Sequence, residues 1–272
     1  MKILLVGEYS RLHNSLKEGL TALGHEVTII GDGDEFKNFP VDFSITSKIM
    51  NSTWVGRKVK VGFYKLTRID LGKKESAIRF LFFKKRLKRF DIVQFIHSNA
   101  LKTDFGFQKK QIQYLKNHNK KMFLLVCGND FPVVKYLLKN TLAYSILTPY
   151  LSGEASEKEF RFLLQYASKE YEQFYVEVEK YFKKLIPVDI DYVLPLKNNP
   201  KSTQLIPTPI NTDKLRLISQ DINDFQKQKI HIFHGINEST SLRKGNIFFE
   251  KALLKIQEKY KDQIKITTVK SL

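Results

Sequence analysis

Apolar residues come first in short unbroken runs: Ile3-Leu4-Leu5-Val6, stopped by Gly7, and Val27-Thr28-Ile29-Ile30. Between them Leu12, Leu16, Leu20 and Leu23 recur every three or four residues, the spacing of one helix face. Ser10 is placed to cap that helix and Gly24 to stop it. Strand, helix, strand predicts a right-handed βαβ unit. From Gly31 to about Gly72 the pattern is less regular, and helical spacing returns in "KKESAIRFLFFKKRLKRF". "DIVQFI" and "MFLLVCG" read as strands on either side of a helix in "DFGFQKKQIQYLKNHNK". Amphipathic helix spacing runs from about Ser156 to Leu185. "DYVLPL" and "QLIPTPI" read as strand-like, punctuated by Pro195, Pro200, Pro207 and Pro209. Near the end a strand, Ile230-His231-Ile232-Phe233, gives way at His234-Gly235 to a polar loop, a helix over Gly245–Tyr260 and a strand in "IKITTV".

This alternation predicts an α/β protein with mostly parallel sheets. The expected organisation is a Rossmann-like N-terminal domain over residues 1–220 and the first βαβ unit of a second over 221–272. A self-sufficient domain usually needs about 100 residues, so the second is expected to be incomplete.

Composition narrows the chemistry. The 272 residues hold one cysteine, Cys127, so an intrachain disulfide and a cysteine-based zinc site are excluded. No apolar run approaches the ~18–20 residues of a membrane span, and "MKILLVGEYS" reads as a strand rather than a signal peptide. A cytoplasmic location is expected. The formal charge of +18, from 46 Lys and Arg against 28 Asp and Glu, favours an anionic partner. The excess is densest in Gly56–Phe90, where Phe80, Phe83, Leu87 and Phe90 fall on one helical face among Lys84, Lys85, Arg86, Lys88 and Arg89. Two readings stand: a core-facing helix with a charged outer side, or a helix lying on an anionic membrane surface through those cations. None of the common RNA-binding signatures occurs, and no nucleic-acid partner is expected.

Loops at the carboxyl ends of parallel strands form the ligand crevice of open α/β sheets. "GEYSRLH" occupies the first such loop, but Gly7 alone survives of a GxGxxG pattern, Tyr9 and Leu12 replacing the other glycines. NAD or FAD binding is therefore disfavoured there. Gly7, Ser10, His13 and Asn14 lie on or near that edge, with His13 either a substrate contact or an exposed residue of the first helical turn. His97 and Asp130 end two further strands; Asp130 reads equally as a sugar-hydroxyl acceptor or a helix cap before Pro132. Cys127 reads as a buried small hydrophobe. Asp32-Gly33-Asp34 and Asp189-Ile190-Asp191 match a three-letter metal pattern that is common by chance, and no metal or cofactor is expected. Arg243-Lys244-Gly245 stands directly before a helix, where unpaired N–H groups and the dipole favour an anion; a solvated basic turn is the alternative.

The opening "ILLVGEYSRLHNSLKEGLTALGHEVTIIGDGD", followed in order by "CGNDFPVVKY", "LIPTPINTDKL" and "HGIN…KG", resembles bacterial family-4-type glycosyltransferases of surface-polysaccharide synthesis, which have the two-Rossmann GT-B architecture. The resemblance implies an N-terminal domain that holds the acceptor and a C-terminal domain that holds a nucleotide-sugar. It implies transfer to a lipid-linked or polysaccharide acceptor at the inner membrane face, with retention of configuration. Lys244 takes the place of the lysine that neutralises the donor diphosphate, with Gly235, Gly245 and Arg243 beside it. This chain departs from the pattern in having Glu238 where many relatives have an arginine, and His97 stands one place from the usual histidine. The family's Glu pair would fall beyond residue 272, so the chain alone is expected to be inactive. The rival class is a non-catalytic, basic anion-binding protein of the membrane surface.

Overall fold

The computed structural model describes residues 1–216 and 229–271. In chain order its elements begin β1 (Lys2–Val6), α1 (Leu12–Ala22), β2 (Glu26–Gly31), β3 (Phe43–Ser44), α2 (Lys48–Ser52), α3 (Trp54–Thr67) and α4 (Leu71–Phe83). They continue with β4 (Ile92–Phe95), α5 (Phe105–His118), β5 (Lys121–Val126), α6 (Phe131–Leu137), α7 (Thr148–Leu151), α8 (Glu157–Leu164) and α9 (Lys169–Glu179). The last are β6 (Lys184–Pro187), α10 (Ile190–Leu196), β7 (Ile230–Asn237), α11 (Asn246–Tyr260) and β8 (Ile264–Ser271).

The chain divides into two compact units, Met1–Tyr136 with Leu163–Thr212, and Leu137–Phe162 with Asp213–Leu272. The expected boundary at 220/221 lies outside the described residues. The division adds something the sequence did not suggest, in that 137–162 groups with the later unit, where the Arg243 guanidinium lies over the Phe162 ring at 5.5 Å.

Unit 1 is an α/β Rossmann-like domain. Its six strands run parallel in the order β3-β2-β1-β4-β5-β6, the doubly wound arrangement in which the chain starts in the middle and winds outward both ways. Leu4, Leu5 and Val6 are fully buried, as expected of a central strand covered on both faces. Ile3, Leu5, Val27 and Ile29 form a core packed against Leu16 and Leu20 of α1. Unit 2 contains β7 and β8, a parallel pair in register from Ile230↔Ile264 to Asn237↔Ser271, connected through α11.

Several expected elements differ. The irregular region after Gly31 contains α2 and α3. The helix of 156–185 is interrupted: Ser168 caps α9 by accepting from Tyr171 N, and Leu185 pairs with Leu124 in the sheet. "DYVLPL" is the helix α10, begun by the Asp189 carboxylate accepting from Ile190 N. "QLIPTPI" runs extended beside β6 through bonds such as Ile206 N to Pro187 O, and forms no strand because two of its residues, Pro207 and Pro209, have no N–H to give. α4 stops at Phe83, so Lys84, Lys85 and Arg86 occupy a 3-10 turn and Lys88 and Arg89 a loop, not a continuous amphipathic helix. Phe80, Leu87 and Phe90 are buried in the core, whereas Leu81 and Phe82 face outward. Among the described residues no helix is long and apolar enough to cross a membrane.

One carboxylate holds the α2–α4 layer together. Glu75 of α4 accepts from the first-turn amides of α2, Lys48, Ile49 and Met50, at 3.0–3.1 Å, from Ser47 Oγ at 2.7 Å and from Arg79 Nε at 2.9 Å. Burial alone would raise the carboxyl's pKa, but those bonds outweigh it and bring it down to about 2 from 4.5. A depressed folded-state value means the stabilisation is complete above pH 4.5 and is lost as pH falls toward 2. We predict that Glu75→Ala removes about 30-fold of the protection of the Ile49 and Met50 amides at neutral pH, the equivalent of about 2 kcal/mol for bonds to a charged acceptor. The difference from wild type should shrink below pH 4.5; hydrogen exchange of both proteins at matched pH measures it.

Candidate functional site

The first strand-to-helix turn of unit 1 is closed by the protein's own groups. Gly7 has φ +85°, and a Cβ there would stand 2.6 Å from Ile96 Cγ2 and 2.9 Å from Ala100 Cβ, so the glycine is demanded by packing between β1 and the β4 loop. Its carbonyl accepts from His13 Nδ1 at 2.7 Å. The next residue, Glu8, is wholly buried and turns its carboxylate onto α1: Oε2 accepts from Asn14 N at 2.8 Å and from Asn14 Nδ2 at 2.5 Å. This is the first turn of the helix, where a dinucleotide fold sets its pyrophosphate. Here the Glu8 side chain occupies that turn, and the second and third glycines of the dinucleotide pattern are absent. Burial raises the Glu8 carboxyl above its ordinary value against the Asn14 bonds, and Oε1 is buried without a partner among the described residues.

These contacts revise the acceptor-side residues. Ser10 is not a helix cap. Its N–H goes to Asp34 Oδ2 at 2.8 Å and its Oγ receives Lys37 Nζ at 3.0 Å, while Arg11, at φ +69°, precedes the helix without a side-chain cap. Asn14 is spent on Glu8 and on Pro40 O. His13 is fully buried, so it is neither an exposed helix residue nor within reach of a substrate. Its Nδ1–H donates to Gly7 O and its Nε2 accepts from Gln94 Nε2 at 3.3 Å, the pattern of a neutral ring. Burial drives its pKa to about 4. Of the four, Gly7 and His13 shape the loop, and Ser10 alone is exposed.

At the ends of β4 and β5 a second network is likewise complete. His97 Nε2–H donates to Asn129 O at 2.7 Å and Nδ1 accepts from Asn99 N at 3.0 Å. Asp130 Oδ1 accepts from Phe131 N at 2.8 Å and from Ser98 Oγ at 2.7 Å, and Tyr171 OH lies 3.0 Å from that hydroxyl. Asp130 is therefore the cap of α6, as one of its two readings held, and is buried with His97. Tyr9 and Tyr166 stand edge-on to the His97 ring at 5.9 and 5.8 Å. Asp32 and Asp34 are neutralised by Lys102 Nζ and Lys37 Nζ, each at 2.7 Å. Burial lowers the Lys102 pKa, and the Asp32 and Glu35 carboxylates more than offset that, leaving it raised. Among the described residues no group of three or more His, Cys, Asp or Glu side chains is gathered as a metal would need. Cys127 is half-buried, gives its thiol hydrogen to Ile96 O, and has its pKa pushed up to about 12 by burial, which leaves it unreactive.

In unit 2 the β7–α11 turn is open. β7 runs on through Gly235 to Asn237, so Gly235 pairs with Val269 inside the strand and does not end it. The expected phosphate-loop glycine is thus a ladder residue, and the turn begins at Glu238. Gly245, at φ +65°, forms the N-cap of α11, which has no side-chain cap. Lys244 is exposed and makes no ion pair or side-chain hydrogen bond among the described residues. Arg243 is turned onto Phe162 instead. The cations of the basic segment are similarly occupied in part: Lys84 and Lys88 lie over Tyr114 and Arg86 over Phe43.

Sequence reasoning missed Glu8, which belongs to no motif, and the burial of His13, although its spacing to Leu16 and Leu20 put it on the apolar face of α1.

No protein-family profile matches this chain, and neither does any curated protein. Among solved structures it is similar to the 3-alpha-hydroxysteroid dehydrogenase from Pseudomonas sp. B-0831 complexed with NADH, at 14% identity over 69% of this chain and 77% of that one. The TM-score of 0.32 is too low for that likeness to carry any argument about this chain.

The buried His13 makes a pH prediction. Its folded pKa, about 4, lies below the ordinary 6.5, so the unfolded chain takes up a proton first as pH falls. Stability should therefore be complete above pH 6.5 and drop by about 2–3 kcal/mol toward pH 4.5 on account of this residue. His13→Asn, which keeps a donor for Gly7 O, should be less stable at pH 7 and lack this drop. Urea unfolding of both at pH 7 and 4.5 is the check; an equal drop in the variant would show that other groups cause it.

Proposed function

We propose that this chain belongs to a glycosyltransferase in which unit 2 holds the diphosphate of a nucleotide-sugar and unit 1 the acceptor, a lipid-linked or saccharide precursor. The observation that carries the reading is the contrast between the two strand-to-helix turns. The first is filled by Glu8, whereas α11 starts without a side-chain cap, its Asn246 and Phe248 amides bonded only to Ser241 O and Gly245 O of the turn itself, beside an exposed lysine that has no ion pair among the described residues. In transfer, the bond from the sugar's anomeric carbon to the diphosphate oxygen breaks, a bond to the acceptor oxygen forms, and the acceptor's proton passes to the departing diphosphate. Negative charge grows on that phosphate as the bond breaks, and the ammonium of Lys244 beside it lowers the energy of that state. The role suggested for Arg243 is reduced, because its guanidinium is held over Phe162. The motif order described above agrees with this reading. No catalytic base is assigned: His97 and Asp130 have their hydrogen-bonding atoms engaged by the protein.

Calorimetric titration of the 272-residue chain with UDP and GDP tests the donor site without requiring turnover. We predict binding of the diphosphates in preference to the nucleosides. Lys244→Ala should weaken it about tenfold, or 1.4 kcal/mol, and change stability by only about 0.5 kcal/mol. Arg243→Ala should have the smaller effect on binding. Absence of diphosphate binding, or equal binding by Lys244→Ala, would refute the assignment.

A further inference from the structure

Helix α3 sits in the α2–α4 layer with almost nothing covering it. Of its 14 residues only Gly56 is buried. That glycine lies against α2, where a Cβ would run into the Ile49 carbonyl oxygen. Thr53 caps the helix by accepting from Gly56 N, and Lys60 reaches Asn51 Oδ1 at 3.0 Å and Asp70 at 3.6 Å. These contacts define a packed side. The rest faces outward and is largely apolar. Val55, Val59 and Leu66, with Gly62 between them, recur at i, i+4, i+7 and i+11, and all three side chains are exposed, Leu66 to 87%. Trp54, Val61, Phe63, Tyr64 and the following Ile69 are exposed as well, Trp54 to 65%. A helix usually turns such a stripe toward a core, and a contiguous exposed one marks an interaction surface.

Charge selects the partner. No Asp or Glu occurs between Asp42 and Asp70. α3 and its C-cap carry Arg57, Lys58, Lys60, Lys65 and Arg68, of which, among the described residues, only Lys60 meets a carboxylate. Lys58 lies over the Trp54 ring at 3.8 Å, next to the apolar stripe. Cations flanking an apolar stripe, with tryptophan and tyrosine at its border, are what an anionic lipid interface takes: stems and rings at the acyl boundary, ammonium and guanidinium groups among the phosphates. The helix is about 21 Å long, too short for a hydrocarbon core of about 30 Å, so it would lie in the surface plane. On the neighbouring α4, Ile78, Leu81 and Phe82 also face outward, and the exposed Lys84–Arg89 segment follows.

We propose that α3 is a membrane-docking helix that rests on an anionic bilayer, with Val55, Val59 and Leu66 entering the interface and its unpaired cations engaging lipid phosphates. This places docking on α3 and leaves Lys84, Lys85, Arg86, Lys88 and Arg89 to contribute attraction at a distance, since their aromatic neighbours Phe80 and Phe90 are buried. The proposal stands independently of glycosyl transfer.

Trp54 is the chain's only tryptophan and opens α3, so its emission reports docking directly. The 272-residue chain would be titrated with phosphatidylcholine vesicles with or without roughly one third phosphatidylglycerol. The expected result is a blue shift with the anionic vesicles only, reversed by about 0.5 M salt. Val55→Ser/Val59→Ser/Leu66→Ser should weaken binding about tenfold or more with little change in melting temperature, because all three side chains are exposed in the free protein. Sedimentation with vesicles but no change in Trp54 emission, as attraction through the basic loop alone would give, overturns the proposal. So does wild-type affinity in the triple variant, or an emission shift produced by an acidic protein partner and not by vesicles.

Discussion

The carboxylate of Glu8 on the first turn of α1 is the contact around which unit 1 is arranged. A parallel sheet of this order converges its strand ends, loops and helix starts on one edge, and the helix starts there need acceptors. The chain meets that need internally, with an acid one residue past the strand glycine and a buried, neutral imidazole tying Gly7 to the same helix. Gly7 stands where a Cβ would run into Ile96 and Ala100, and the Asn14 amide of the first helical turn is already engaged by the Glu8 side chain.

The same economy recurs along the edge. Asp130 caps α6 and orders Ser98 and Tyr171; Asp32 and Asp34 fix Lys102 and Lys37 across the loops. Beside them Tyr9 and Tyr166 pack edge-on about the buried His97 ring. In unit 2 the distribution is reversed, Lys244 having no ion pair among the described residues and standing beside a helix start without a side-chain cap. The α2–α4 layer adds a third chemistry, apolar and basic together, with α2 tied to α4 by Glu75.

The sheet was legible because its central strands are unbroken apolar runs, and α1 because its leucines keep helical spacing. α3 was less so: Val59-Lys60-Val61 alternates as a strand would while Val55, Val59 and Leu66 keep helical spacing, and its apolar face meets no core among the described residues. α10 reads as a strand because Val193, Leu194 and Pro195 outweigh the one cue to a helix, the cap at Asp189. For the site, strand-end positions were readable from order alone, but whether a polar side chain there faces a ligand or the protein depends on partners distant in sequence. His97 meets Asn129, and Ser98 meets Tyr171, 73 positions away. Lys244 was readable because its context is local, whereas Gly235 was misplaced because β7 extends two residues beyond it.

The claim that the two strand-to-helix turns differ in kind is tested most directly by mapping backbone amide shifts during titration with UDP and with inorganic pyrophosphate. The account predicts perturbation of the amides from Glu238 to Phe248 and silence from Glu8 to Asn14. Movement of the Asn14 amide, with loss of its bond to Glu8, would contradict it.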